Sequence, residues 1–421
     1  MKRHMMLSTL TAQLHARIND KEFEGRSKVK KQAFTRRRKM GFAETTLFIM
    51  RGVKKSLQVA LHEFLDELKR EGDNYSKQAF SARRQFIKPE AFQELFNATT
   101  AKFYEMNGHQ KYGKYVLLAI DGSKCDLPCS DELMEKYGAQ ESSGGQVQCL
   151  VSCMYDVLNG TVVDATLSAH DANEREEAKK HIERVKDMVK DPAILLMDRG
   201  YPAADLIKCL ENAEQKYVIR CVKEFTRGMK LDGADRTIVH AFCKSKVEAK
   251  LRVIQLTLKS GSEEILITNL LDSEFTVEDL CALYHKRWGI EEEYKNLKVK
   301  LGIENFSGLT EIAVLQDFYA TLTLCNLAAA AVADERDEVD SRHNNKGNEY
   351  LYKQNINVTL AALKDNFVKM VLCESDRKRK KMLANIEARL AASVVSVRDD
   401  RSFDHTVKHK SRRFCPNNRP I

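Results

Sequence analysis

The sequence predicts an α/β protein, a mixed β-sheet with helices packed on it, flanked by helical regions at both ends. Three observations carry this. Between residues 115 and 222, short apolar runs bounded by turn residues alternate with amphipathic stretches. The first hundred residues show helical periodicity instead. A chain of 421 residues also exceeds what one hydrophobic core usually supports, so more than one compact domain is expected. With 43% hydrophobic and 31% charged residues, collagen-like and wholly disordered classes are excluded.

Near the N-terminus, Leu57, Leu61, Phe64, Leu65 and Leu68 recur at helical spacing, and 77–84 reads as a helix ahead of a break at Pro89. With Arg36, Arg37, Arg38, Arg83 and Arg84, this stretch is a candidate DNA-binding head of the helix-turn-helix kind. The run 115–120 reads as a buried strand stopping at Asp121-Gly122. Two more strands, 146–157 and 160–167, flank a turn at Asn159-Gly160. An amphipathic helix is expected over 173–189, then a second buried strand, 193–197, that ends at Asp198. A helix over 203–210 and a strand over 216–222 follow. The stretch 223–270 is strand-rich and irregular, clearest at 248–258 and 264–268. Thr276, with Asp279 three residues on, opens a long helix through a capping box. No stretch reaches the roughly 18 apolar residues of a membrane helix. The best candidate, 320–333, carries Thr321, Thr323 and Asn326 and reads as a buried helix. No signal-peptide core precedes Asp20, Lys21 and Glu22, so no membrane partner and a cytoplasmic location are expected.

The net charge of +9 is unevenly spread. Residues 26–55 carry eleven Lys and Arg against one acid, and 377–421 carry thirteen against four, leaving an acidic middle. Basic ends suit a polyanion, and clustered carboxylates suit metal ions; solvated helix faces give the same pattern with no partner. The eleven Cys include Cys125-x3-Cys129 and Cys149-x3-Cys153, but no His stands at zinc-ligand spacing, so buried free thiols are expected.

Asp121 and Asp198 close two apolar strands. If those strands are neighbours, both carboxylates reach a shared cation; alone, each reads as a turn residue. At about 100° per residue, Tyr284, Arg287 and Lys298 fall within roughly 40° of Glu291 on one face of the helix after Thr276. Leu283, Ile290, Tyr294, Leu297 and Leu301 form a separate stripe for the core. A solvated face with a Glu291–Lys295 pair is the plain alternative.

The spacing Tyr284-x2-Arg287-x3-Glu291-x6-Lys298 resembles the Y-x2-R-x3-E-x6-K signature of IS4-type DDE transposases, and its register selects Glu291 over Glu292 and Glu293. Asp121-Gly-Ser, with Leu127-Pro128 after it, and Asp198-Arg-Gly-Tyr201 resemble that family's two Asp motifs. The resemblance spans about 30–330, and the basic tail ending Asn418-Arg-Pro-Ile421 is similar as well. It implies an RNase H-like catalytic core interrupted by a β-rich insertion. The implied organisation is a helical, basic, DNA-binding region (1–110), the first part of the core (111–222), the insertion (223–272), a core helix region (273–335) and a basic, mostly helical C-terminal region (336–421).

The implied activity is that of an insertion-sequence transposase, cleaving element ends and transferring strands into target DNA. The alternatives are a metal-dependent endonuclease without strand transfer and a catalytically silent DNA-binding protein. Asp121, Asp198 and Glu291 would be the catalytic, metal-binding carboxylates. Two Mg²⁺ ions, replaceable by Mn²⁺, would lie about 3.5–4 Å apart. Tyr284, Arg287 and Lys298 would meet phosphate beside the cut, with Arg36, Arg37 and Arg38 on DNA further off. Trp288, the sole Trp, either stacks on an unpaired base or belongs to the core. The implied partners are double-stranded DNA, as terminal inverted repeats and as target, and a second copy in a homodimer on paired ends. The implied setting is a bacterial cytoplasm, at the nucleoid.

Overall fold

The computed structural model describes residues 6–35, 40–53, 56–70, 72–140, 145–226, 235–242, 247–257, 263–271, 274–344 and 350–397. Six helices come first: α1 (Met6–Ile18), α2 (Lys21–Ser27), α3 (Phe42–Arg51), α4 (Leu57–Glu67), α5 (Lys77–Arg84) and α6 (Pro89–Glu105). The α/β part follows as β1 (Val116–Asp126), α7 (Asp131–Tyr137), β2 (Ala139–Gln140), β3 (Gln146–Asp156), β4 (Thr161–Ala169), α8 (Glu174–Met188), β5 (Ala193–Met197), α9 (Ala204–Asn212) and β6 (Lys216–Cys221). Then come β7 (Asp235–Phe242), β8 (Val247–Thr257), β9 (Glu263–Thr268), α10 (Val277–His285) and α11 (Trp288–Lys295). The chain ends in α12 (Glu311–Arg342), β10 (Leu351–Gln354), α13 (Ile356–Leu372), α14 (Asp376–Ala392) and β11 (Val394–Val397).

Two compact units result. One comprises Met1–Gly108, Asp126–Gln148 and Leu297–Ile421; the other comprises His109–Cys125 and Cys149–Asn296. In the first, α12 is the central element, packed against α1, α3, α6, α13 and α14. By length and composition α12 could cross a membrane, but 78% of its apolar window is buried inside the protein, as expected for 320–333. Asn326 donates to Thr100 Oγ1 at 2.8 Å, so even its polar interior is satisfied.

The second unit holds most of a mixed nine-stranded sheet. Its strand order is β2-β3-β1-β5-β6-β9-β8-β7, with β4 beside β3. β1, β5 and β6 are parallel neighbours, β3 and β4 are antiparallel, and β9, β8 and β7 extend the far side in antiparallel pairs. This mixed sheet, with α8 and α9 as the connections into β5 and β6, is the mixed α/β arrangement expected from the sequence. The strand-rich stretch after β6 therefore continues the same sheet.

Local chemistry accounts for the boundaries. Asn173 caps α8 by accepting from Arg175 N–H, and Glu174, Glu176 and Glu177 complement the helix dipole in its first turn. The Thr276–Asp279 capping box starts α10. Gly160, at φ 70°, makes the turn between β3 and β4.

Three expectations change. β1 does not stop at Asp121 but runs on to Asp126, with β3 as its neighbour on the side away from β5. Pro89 does not merely break a helix; it opens α6 at a first-turn position, where its missing N–H is no loss. The single long helix after Thr276 is three pieces. α10 ends at His285 in a tight turn, with Arg287 N–H on the Tyr284 carbonyl and Ile290 N–H on that of Arg287, and α11 passes at Asn296 into a π-helical stretch, Asn296–Leu301.

Candidate active site

The register of two parallel strands builds the centre of the site. Val116 pairs with Ala193, and successive partners run to Ala119 with Leu196. Asp121 lies two residues beyond the last pair on β1, and Asp198 is the first residue after β5, so the register brings both to the same end of this parallel pair. The charge of Asp198 acts on the Asp121 carboxyl. Asp121 Oδ1 accepts from Gly122 N–H at 3.0 Å, and Asp198 Oδ1 accepts from Gly200 N–H at 2.7 Å. Burial pushes the Asp121 carboxyl up to about 7; the Gly122 N–H and Arg287 oppose this, while the charges of Asp198 and Glu174 add to it.

Glu291 sits on α11, and Tyr294, one turn on, ties that helix to the strand end. Its hydroxyl donates to the Asp121 carbonyl at 2.6 Å and lies 3.1 Å from the Val151 carbonyl. Gly289 lies against Val157, the residue after β3, within van der Waals reach of a Cβ. Leu283, Ile290, Tyr294 and Leu297 are buried as expected, while the Leu301 side chain lies outside the described residues.

The cationic face differs from the expected one. Arg287 is only 5% exposed and donates to Glu291 Oε1 at 2.8 Å, with its guanidinium 5.4 Å from the Trp288 ring centre and 5.8 Å from that of Tyr284. Here it holds a carboxylate, and solvent hardly reaches it. Tyr284 is buried as well. Trp288 is 47% exposed, which decides against the core reading and leaves about half of the residue open to solvent. Lys298 lies in the π-helical stretch, so a uniform 100° step does not give its azimuth, and it groups with the first unit. Arg36, Arg37 and Arg38 lie outside the described residues, as does the tail 398–421.

Arg84 corrects the expected basic head. It is 1% exposed and fully engaged: to Gln316 at 2.8 Å, Ser307 at 2.6 Å, Asp317 at 2.7 Å and the Ala313 carbonyl at 3.2 Å. With four of its five N–H donors bonded inside the protein, Arg84 is a structural pin, buried away from any phosphate.

Two further residues stand by the aspartates: Glu174, which carries no sequence signal of its own for a site, and Tyr201, which closes the second Asp motif. Glu174, the first residue of α8, lies against Gly122: a Cβ at Gly122 would be 2.7 Å from Glu174 Cδ. Tyr201 is 1% exposed, and its hydroxyl has no hydrogen-bond partner among the described residues. Burial and the charges of Asp121, Glu174 and Asp198 raise that hydroxyl well above its ordinary range.

The donor set fits a hard divalent cation. It consists of carboxylates and a phenol, and a cation would relieve the crowding of like charge that burial aggravates. Among the described residues, however, no three His, Cys, Asp or Glu side chains stand together closely enough to hold an ion. Asp121 and Asp198 are brought together; Glu291 is turned to Arg287. Cys125, Cys149 and Cys153 are buried free thiols and Cys129 is exposed.

Residues 112–327 match the family model described as a transposase DDE domain. A cryo-EM structure of a piggyBac transposase synaptic complex with hairpin DNA is similar over 91% of this chain and 86% of that one, at 12% identity and a TM-score of 0.46. No curated protein matches the sequence.

Proposed function

The chain belongs to the transposase DDE domain family, and on that premise we propose an insertion-sequence transposase of the IS4 type that cuts DNA at element ends and joins them to target DNA. The observation that supports this reading is the parallel pairing of β1 with β5, whose register leads to Asp121 on one strand and to Asp198 just past the end of the other. In a first step water attacks the phosphorus at the element end, and the bond to the 3′-oxygen breaks to free a 3′-hydroxyl. In a second step that hydroxyl attacks a target phosphodiester, so one P–O bond forms as another breaks.

Asp121 and Asp198 would hold divalent cations, Mg²⁺ or Mn²⁺, with Glu291 as the third carboxylate once it leaves Arg287. When bound, such cations neutralise charge at phosphorus and favour both the attacking and the leaving oxygen. Tyr294 keeps the Glu291 helix at the strand end. Arg287, released from Glu291, and Tyr284 would meet the scissile phosphate, with Lys298 adding charge along the same strand. The exposed ring of Trp288 would stack on an unpaired base beside the cut.

Basic ends of the chain would supply most of the DNA affinity. A homodimer on paired ends would bring two such sites together. The test uses DNA from the flanks of the gene, searched for inverted repeats, incubated with the protein, Mg²⁺ and a target plasmid. Joined products support transposition. Cut ends alone indicate an endonuclease, and binding without cutting indicates a silent DNA-binding protein. Activity that survives EDTA would overturn the cation-dependent reading.

A further inference from the structure

We propose that Glu174 is a further carboxylate of this site, an oxygen donor that holds the divalent cation together with Asp121 and Asp198 before DNA arrives, while Glu291 stays on Arg287. The proposal rests on the reading of Asp121 and Asp198 given above and adds a residue outside the motifs that suggested it.

The first observation is steric. Glu174 reaches back over the strand at Gly122, where a Cβ would lie 2.7 Å from its Cδ and 3.0 Å from its Oε1. A glycine directly after Asp121 thus leaves the space that the Glu174 carboxyl occupies. The second is that α8 is fastened to the sheet. His181, two turns further along it, stands between Asp164 of β4 at 2.7 Å and Ser152 of β3 at 3.0 Å, all three buried, and Arg184 adds a 2.7 Å bond to Asp164. This Ser-His-Asp array is sealed from solvent, so it fastens the helix to the sheet and has no access to a substrate. The third is the Tyr201 hydroxyl, buried and without a hydrogen-bond partner among the described residues, amid the charges of Asp121, Glu174 and Asp198. A buried hydroxyl left unpaired is rare, and a water or ion-bound ligand among those three acids would satisfy it.

The two glutamates differ in what they must give up. Glu174 is exposed and has no ion pair among the described residues, so rotation of its side chain toward the aspartates breaks nothing. Glu291 must leave a charge-assisted bond from a buried guanidinium. In the DNA-free protein the cheaper third donor is therefore Glu174. DNA, by drawing Arg287 to phosphate, would release Glu291 for its role in the reaction. All donors are hard oxygens, which selects Mg²⁺ or Mn²⁺ over zinc.

The experiment titrates Mn²⁺ alone into the DNA-free full chain and follows free Mn²⁺ by electron paramagnetic resonance. Asp121→Asn should abolish binding, and Glu174→Gln should weaken it by about tenfold or more. Gly122→Ala, which the backbone tolerates but which displaces the Glu174 carboxyl, should weaken it severalfold in the same direction. Glu291→Gln should bind within about twofold of wild type, and thermal unfolding of each variant checks that it is folded. If Glu174→Gln and Gly122→Ala bind like wild type while Asp121→Asn does not, the role of Glu174 is overturned and the transposase reading stands. If Glu291→Gln is as weakened as Glu174→Gln, the division of labour between the two glutamates is overturned. Normal binding by Asp121→Asn would overturn both readings.

Discussion

The aspartates and the glutamate of the candidate site stand on different kinds of support. Asp121 lies in β1 and Asp198 directly follows β5, and the ladder and buried apolar residues of this parallel pair anchor both positions. Glu291 stands on a short helix that begins in a tight turn after His285 and loses its α-helical pitch at Asn296. The strand half has one arrangement available to it, whereas the helix half has a partner, Arg287, that it can exchange for another. On the proposed reading, a site divided in this way would keep its aspartate pair assembled and leave the third acid to be supplied when DNA arrives.

The largest expected effect tests the strand half. Asp121→Ala or Asp198→Ala should lower strand cleavage by about a thousandfold or more while leaving end binding in gel shifts nearly intact, since basic regions provide the affinity. Residual cleavage within about tenfold of wild type for either variant would remove that aspartate from the reaction.

Next comes the exchange on the helix half. Arg287→Ala frees Glu291 but removes a cation for phosphate, so cleavage should fall about 10- to 100-fold and the salt dependence of end binding should shallow by about one unit. An unchanged salt slope with normal cleavage would return this face to a solvated ion pair.

Tyr294→Phe probes the tie between the halves. Losing the bond to the Asp121 carbonyl should cost about 1 kcal/mol of stability by urea unfolding and a few-fold to tenfold in cleavage. A stability loss with full cleavage would mean that the tie does not position Glu291.

The smallest effect on cleavage is expected far along the chain, on α14. Burial, with the charges of Glu335 and Asp334, pushes the Glu387 carboxyl up to about 8 from an ordinary 4.5. Between those values the folded chain keeps a proton that the unfolded chain has released. This contribution to stability is fully present below about 4.5 and is lost as pH rises through about 8. Glu387→Gln should therefore flatten the fall in melting temperature between pH 5 and pH 8.5, with cleavage unaltered. A parallel pH profile in variant and wild type would contradict the shift.

Much of the strand half was legible in sequence, and the helix half was not. Apolar runs of five or six residues ending in Asp are strong local signals, and β5 begins and ends where its run does. That the two runs pair in parallel, with both Asp residues at the same end, is a tertiary fact that spacing along the chain does not contain. On the helix, the motif supplied residue types, but constant pitch was the wrong ruler once the chain tightened before Trp288 and widened after Lys295. Arg84 shows the same limit from another side. Next to Arg83 and ahead of a proline it reads as basic surface, and only the acceptors on α12 and the segment before it reveal a pin. Glu174 gave no signal at all, because a glutamate in the first turn of a helix is what the dipole favours anywhere.

The lone tryptophan makes the exchange at Arg287 open to optics. Thirteen tyrosines contribute little when the indole is excited selectively, so emission at longer wavelength comes from one ring, half in water, with a guanidinium over it. Withdrawal of that cation toward a phosphate, or a base laid on the ring, changes the quenching of this single fluorophore. Stopped-flow emission on the unlabelled protein would thus time the hand-over at the helix separately from the later appearance of cut DNA.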